Sequence, residues 1–322
     1  MTAALIGDIG ATNARFALLL NGEVTHIEVL PVADHPSLGD AIQAYLKKVT
    51  GAGVLRPRQG AVAVAGPVTG DYLSFTNHPW SFSIAALTRD IGFDHLRVVN
   101  DFVAQAMAAP RLGVDRRRQV GPGTPVTDVP IAIIGPGTGL GASIVVPVME
   151  HGKTRWIPLP GEGGHVTLAT VTAREQAIVD LLHQNGKTHV SGEVLVCGAG
   201  LTLLHSTLSM LDGKGNTALE PAEVTGRAIK GDDPIAVEAV QIFCSLLGTL
   251  AGNLALTAGA RGGLFIAGGI VPKLGALFDK SDFRERFAAK GRMRSFLDPI
   301  PTYVITEEYP AFLGLAELIR QG

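Results

Sequence analysis

The chain has 322 residues, of which 46% are hydrophobic and 17% charged, and its net charge is −2. That balance excludes a disordered chain and gives no electrostatic case for nucleic acid or a membrane surface. Cys197 and Cys244, the only cysteines, lie in different segments, which excludes a disulfide framework and a cysteine zinc site.

The length suits two domains. No basic region precedes the first apolar run, and Asp8 interrupts that run. A signal peptide is therefore not expected, and the protein is expected in the cytoplasm. Leu5 to Leu18 reads L-I-G-D-I-G-A-T-N-A-R-F-A-L. Small residues between apolar runs predict a strand, a glycine-bearing turn and a second strand. Such a turn can aim backbone N–H groups and the Thr12 hydroxyl at an anion. Asp8 beside it could orient water on a magnesium ion accompanying a triphosphate; an ordinary hairpin with a solvated Asp8 fits the same residues. Arg15 reads as half of a structural ion pair.

Val24 to Pro31 continues a meander, and Ser37 to Lys48 has a helical rhythm with Ser37 as its N-cap. Gly60 to Gly66 is a short buried strand. A helix is predicted from Ser83. Leu96 to Asn100 is a strand that hands directly to a helix, Asp101 to Met107, so the segment reads as α/β. Ligands gather at the carboxyl ends of strands in such sheets, which makes Asp101 a candidate reactive carboxylate. A helix cap is the other reading of Asp101.

Arg111 to Pro130 is rich in Pro, Gly and Arg. The interdomain crossing is set at its start, giving a small domain of residues 1–110 plus 308–322 and a large one of 111–307. Ile131 to Ile134 then runs into Gly135-Pro136-Gly137-Thr138-Gly139-Leu140-Gly141 and on to Val146, a second strand–glycine turn–strand. Two such hairpins suggest two related halves facing one nucleotide. Neither a P-loop nor a G-x-G-x-x-G fingerprint occurs.

Trp156 to Thr167 reads as a Gly/Pro-rich loop carrying Glu162 and His165, which could hydrogen-bond adjacent hydroxyls of a polyol or be solvated. Glu193 is either a further acceptor or a first-turn Glu favoured by a helix dipole. Ala173 to Gln184 and Asp233 to Thr257 are predicted helices. The apolar run Ile242 to Leu256 is short for a membrane span and reads as a core helix. Leu264 to Gly269 is a strand entering a turn, where Gly268-Gly269 could admit an adenosine or only shape the chain. A helix from about Pro272, a strand Tyr303–Thr306 and a helix from Pro310 to Ile319 follow. No metal-ligand spacing and no nucleophilic-serine motif is found.

In combination, Gly7-Asp8-x-Gly10-x-Thr12-Asn13, Thr76-Asn77-His78, Asn100-Asp101-Phe102, Gly137-Thr138-Gly139-Leu140-Gly141, Pro160-Gly-Glu162-Gly-Gly-His165 and Leu264-Phe-Ile-Ala-Gly-Gly-Ile270 resemble bacterial glucokinases. The resemblance runs in order from residue 5 to about residue 315. The Cys-x-Cys-Gly-x-x-Gly-Cys stretch of the zinc-bearing sugar kinases is absent, which points to the zinc-free type.

The resemblance implies a two-domain actin/hexokinase-like (ribonuclease H-like) α/β ATPase fold with a central cleft. It also implies ATP-dependent phosphorylation of D-glucose to glucose 6-phosphate, the first step of glycolysis, with Mg²⁺ and in a homodimer. Carried over residue by residue, Asp101 is the base. Asn77, Asn100, Asp101, Glu162, His165 and Glu193 hold the sugar. Gly7, Asp8, Ile9, Gly10, Ala11 and Thr12, with Gly137 and Thr138, surround the phosphates. Gly268 and Gly269 face the adenosine, and Asp8 meets the metal through water. Two departures are Ala11, where a second glycine is common, and Pro136, which removes a possible N–H donor. The alternatives are a kinase for mannose, fructose or an N-acetylhexosamine, a non-catalytic sugar-sensing regulator, or an actin-like assembly protein. A regulator would carry a DNA-binding extension, for which the first turn, beginning within seven residues of Met1, leaves no room.

Overall fold

The computed structural model describes residues 3–75 and 80–321; Asn77 lies outside them. The chain divides into two compact units. Unit 1 comprises residues 1–112, 155–160 and 307–322, and unit 2 comprises 113–154 and 161–306.

Unit 1 is built on strands β1 (Ala3–Ile9), β2 (Asn13–Leu20), β3 (Glu23–Pro31), β4 (Gln59–Val64) and β7 (His95–Asn100), with β5 (Tyr72–Ser74) and β6 (Ser81–Ser83) forming a separate ribbon. The main sheet has the order β3-β2-β1-β4-β7. β1, β2 and β3 form an antiparallel meander, whereas β1, β4 and β7 run parallel. β1 is therefore hydrogen-bonded on both sides, and its ladder continues through Gly7 and Asp8. The turn is shorter than the sequence suggested, only Gly10-Ala11-Thr12.

Helix α1 (Leu38–Gly51) is capped by Ser37 and buries Ile42, Tyr45 and Leu46. The Tyr45 ring lies 5.5 Å from that of Phe16, and its hydroxyl donates to the His26 carbonyl at 2.8 Å. Helix α2 (Ile84–Ile91) is capped by Ser83 and ends at the left-handed Gly92. Helix α3 (Asp101–Ala108) follows β7 without a loop. The helix Pro310–Gln321 packs on α3 so closely that a Cβ on Gly314 would fall 1.8 Å from the Ala104 carbonyl oxygen. Its buried Glu317 pairs with Arg111 at 2.7 Å.

The second sheet carries β8 (Arg117–Val120), β9 (Ile131–Pro136), β10 (Leu140–Glu150), β11 (Lys153–Gly161), β12 (Leu264–Ile266) and β13 (Thr302–Ile305), in the order β11-β10-β9-β12-β13-β8, and belongs to unit 2 except for residues 155–160 of β11. β9, β12 and β13 are parallel, and their carboxyl ends share one edge. The helices that matter for the site are α4 (Ala173–Gln184), α5 (Gly192–Leu195), α6 (Gly198–Leu211), α7 (Pro221–Lys230), α8 (Pro234–Ala258) and α9 (Ile270–Leu274).

α8 is capped by Asp233, which accepts from Ile235 N and Ala236 N, and it stops at the left-handed Gly259. Its length and composition would suit a membrane span, yet 83% of the apolar window is buried, against Leu204, Leu208 and Phe283 among others. Two local expectations need correcting. Trp156 to Gly161 is not loop but part of β11, an edge strand, where Pro158 and Pro160 cost no ladder partner. The helix expected near Pro272 begins at Ile270, with Pro272 inside its first turn, where no N–H is required.

Candidate active site

In unit 1, the register sets Ile9, Val64 and Asn100 level on neighbouring parallel strands. The first glycine turn and the β7–α3 junction therefore stand on the same edge of the sheet. Gly10 N donates to the Asn13 carbonyl at 3.0 Å to close the turn, and Ala11 is not among the residues with positive φ. Asp8 faces Arg15 across the β1–β2 ladder, and Arg15 Nη1 donates to Asp8 Oδ2 at 3.2 Å. Arg15 is thus the ion-pair partner read from the sequence. Burial pushes the Asp8 carboxyl above its ordinary range, and the Arg15 charge and hydrogen bond oppose that shift.

Asn100, not Asp101, caps α3. Its Oδ1 accepts from Phe102 N at 2.8 Å, while its Nδ2 donates to the Gly66 carbonyl at 3.0 Å. The side chain thereby ties the end of β7 to the chain leaving β4, and one N–H and one lone pair remain for a ligand. Asp101 is the first residue of the helix, half-buried, with its Oδ1 2.9 Å from Phe102 N. A carboxylate there is favoured by the helix dipole. Because Asn100 supplies the cap, Asp101 is not needed as one.

In unit 2, the second turn Gly137-Thr138-Gly139 follows β9, and Gly137 N donates to the Gly139 carbonyl at 2.8 Å. The Gly268-Gly269 turn follows the neighbouring β12. Gly268 has φ +83°, and a Cβ on it would meet the Pro136 carbonyl oxygen at 2.3 Å. The two turns pack directly on one another, which only glycine at 268 permits. α6 starts against the same place, since Gly198 N donates to the Gly137 carbonyl at 2.9 Å. The buried Cys197 caps that helix, its Sγ accepting from Gly200 N at 3.3 Å.

Glu162 and His165 are not on a free loop. Glu162 bridges Ala142 at the start of β10, and Gly192 N donates to the Val166 carbonyl at 3.0 Å. A Cβ on Gly164 would lie 1.9 Å from the Leu140 carbonyl oxygen, so the backbone is pressed onto β10. His165 presents Nε2 to Glu162 Oε2 and Nδ1 to Glu193 Oε1, each at 3.9 Å. These separations are too long for direct hydrogen bonds and leave room for hydroxyls. Glu193 also accepts the Leu140 N–H at 2.8 Å through Oε2. Glu162, His165 and Glu193 are partly exposed and converge beside the second turn.

The sequence-derived residues thus gather as two constellations. One is Gly7–Thr12 with Asn100 and Asp101; the other is Gly137, Thr138, Glu162, His165, Glu193, Gly268 and Gly269. The roles of Gly66, Cys197 and Gly198 were not anticipated. The run Cys197-Gly-Ala-Gly200 was the available signal, small residues opening a helix next to a thiol that can cap it. Among the described residues, no group of three or more His, Cys, Asp or Glu could hold a metal ion on its own.

A family model described as Glucokinase matches residues 5–322. The glucokinase of Nitrobacter hamburgensis (strain DSM 10229 / NCIMB 13809 / X14) is 49% identical over 319 residues, covering 99% of this chain and 98% of that protein. The "Bifunctional protein glk" of Paraburkholderia xenovorans (strain LB400) is 46% identical over 319 residues; the match takes in 98% of this chain but 49% of that protein, so the chain spans about half of its length. Among solved structures, a glucokinase from an Antarctic psychrotroph superposes with a TM-score of 0.90 at 33% identity, covering all of both chains.

Proposed function

The chain belongs to the glucokinase family, and from that premise we propose that it transfers the γ-phosphoryl group of ATP to the 6-hydroxyl of D-glucose, with Asp101 as the general base. The observation that carries the residue assignment is the strand register of unit 1. It sets Asp101 on the same sheet edge as the Gly10-Ala11-Thr12 turn, two strands away. At about 4.8 Å per strand, that separation is roughly 10 Å, room for a hydroxyl and a phosphoryl group between them.

Phosphoryl transfer needs positioning and charge neutralisation more than covalent chemistry. Asp101 accepts the proton of the attacking hydroxyl from the first turn of α3, where the helix dipole favours a carboxylate. The remaining N–H and lone pair of Asn100 hold a neighbouring hydroxyl. Glu162, His165 and Glu193 take the other hydroxyls; their oxygen and nitrogen atoms, 3.9 Å apart in pairs, can each meet one hydroxyl from either side. Backbone N–H groups of the two glycine turns, with the Thr12 and Thr138 hydroxyls, cradle the phosphates. Gly268 and Gly269 face the adenosine.

Asp8 fits an ion held through water. Arg15 takes one of its oxygens, and a cation beside the other would offset the burial that disfavours its charge. A single carboxylate is also how Mg²⁺ is commonly held with a nucleotide. Mg²⁺, when bound, supplies charge neutralisation on the β- and γ-phosphates. The same reading carries a homodimer in the cytoplasm with no nucleic-acid or membrane partner.

The test is steady-state kinetics of Asp101→Ala. A general base contributes ~10²–10⁴-fold, so kcat should fall by that order while the protein melts within a few degrees of wild type, because Asn100 retains the cap. A folded Asp101→Ala enzyme with near-normal kcat would sink the assignment. A panel of hexoses assayed alongside tests the sugar.

A further inference from the structure

Glu193 stands where a carboxylate is not obviously wanted, next to a turn read as a phosphate site, where its charge would repel the ligand. The geometry gives the reason for its presence. The oxygen nearest the turn, Oε2, is occupied by the Leu140 N–H at 2.8 Å, and a Cβ on Gly139 would fall 2.4 Å from it. The last glycine of the turn is therefore what makes room for this carboxylate. The other oxygen, Oε1, is turned to His165 Nδ1 at 3.9 Å. The residue before Glu193, Gly192, is bonded to the sugar-side loop through the Val166 carbonyl at 3.0 Å.

We propose that Glu193 is a positioning residue for the second phosphate turn as well as a hydroxyl acceptor, so that one carboxylate sets affinity for both substrates. Two of the three residues of this turn are glycines, which carry large conformational freedom. In this turn the Gly198 N–H anchors one end, at the Gly137 carbonyl, and Glu193 anchors the other, at the Leu140 N–H. Ordering the turn before ATP arrives removes a cost from binding. The inference rests on the reading that Gly137 and Thr138 meet ATP phosphates.

The experiment measures KM for ATP and for glucose, with kcat, in Glu193→Ala, Glu193→Gln, Gly139→Ala and Thr138→Ala. Loss of a charge-assisted hydrogen bond to a partly exposed carboxylate predicts that Glu193→Ala raises both KM values by roughly 5- to 50-fold. Glu193→Gln keeps an oxygen for the Leu140 N–H, so it restores KM for ATP to within about threefold while KM for glucose stays raised. Gly139→Ala pushes the carboxylate off Leu140 without backbone strain, since Gly139 is not in the left-handed region. It therefore raises KM for ATP with Glu193 still present, and it carries the test should Glu193→Ala fold poorly. If Thr138→Ala weakens ATP while Glu193→Ala and Gly139→Ala leave KM for ATP within about twofold of wild type, the positioning role is overturned. If none of the variants moves KM for ATP, the assignment of this turn to ATP falls, and the inference with it.

Discussion

Replacing Gly268 by alanine would set a Cβ 2.3 Å from the Pro136 carbonyl oxygen and 2.9 Å from its carbonyl carbon, at a φ of +83°. The left-handed backbone costs an L-residue about 1–2 kcal/mol. Overpacking against a backbone that cannot swing away adds about 1–3 kcal/mol. The sum is ~2–5 kcal/mol, which for a unit of this size corresponds to a melting temperature lowered by roughly 4–20 °C. Relief has to come from the end of β9, which leads straight into the Gly137 turn, so KM for ATP should rise about fivefold or more while KM for glucose changes far less.

Gly269 is the internal control for stability. Nothing lies within 4 Å of a Cβ placed there, and its φ is −87°. Gly269→Ala should stay within ~0.5 kcal/mol of wild type. The assays are differential scanning calorimetry and steady-state kinetics on both variants. A Gly268→Ala protein that melts with wild type and keeps its KM for ATP would refute the close-approach argument. So would a Gly269→Ala protein destabilised to the same degree.

Three further outcomes are expected. Excess chelator should abolish turnover and leave glucose binding, followed by calorimetry, unaffected; turnover that survives would remove Mg²⁺ from the mechanism. Asp233→Ala removes the cap of α8 and the partner of the buried His205, and should lower stability by about 1.5–5 kcal/mol with both KM values unchanged in the folded protein; a kinetic effect would mean that the helix is coupled to the site. Burial alone would raise the Glu175 pKa, but the Arg286 hydrogen bond at 2.6 Å and the Val171 and Thr172 N–H groups outweigh it and hold the carboxyl below its ordinary 4.5. A depressed carboxylate stabilises the fold above its unfolded pKa and loses that contribution as pH falls through the folded value. The stability gap between wild type and Glu175→Gln, read from urea midpoints between about pH 3 and pH 7, should therefore narrow below pH ~4.5; a constant gap would contradict the pairing.

What the sequence disclosed follows from the range of the interactions involved. Both glycine hairpins, the Ser37 cap and the helices expected from Ser83 and from Asp233 rest on local signals, and each is found close to where the residues indicated. α6 escaped notice because G-A-G-L-T-L-L-H-S-T-L-S-M-L is apolar nearly all round and buried, so no polar face betrays its period. The prolines of β11 imitated a loop because an edge strand tolerates them. The bond from Glu193 to Leu140 joins residues 53 apart in sequence, and no spacing rule reports such a pairing. The candidate residues could be named one by one from motifs. That Asn100 spends its side chain on Gly66 and Phe102 required coordinates, because an amide's partners are set by what the fold brings alongside.

The division of unit 1 into separated pieces bears on how the protein is made. The sheet that carries Asp8 and the helix that carries Asp101 leave the ribosome early, but the helix containing Gly314 is synthesised only after the whole of unit 2. At 5–20 residues per second, the intervening chain takes roughly 10–40 s to appear. Throughout that interval the α3 backbone around Ala104 and Ala108 lacks the cover that the helix of Gly314 later gives it. Unit 2, nearly continuous in sequence, can fold while unit 1 waits. A nascent chain of this kind offers a chaperone an apolar helix face for a fixed time, and that window closes only when residues 307–322 dock.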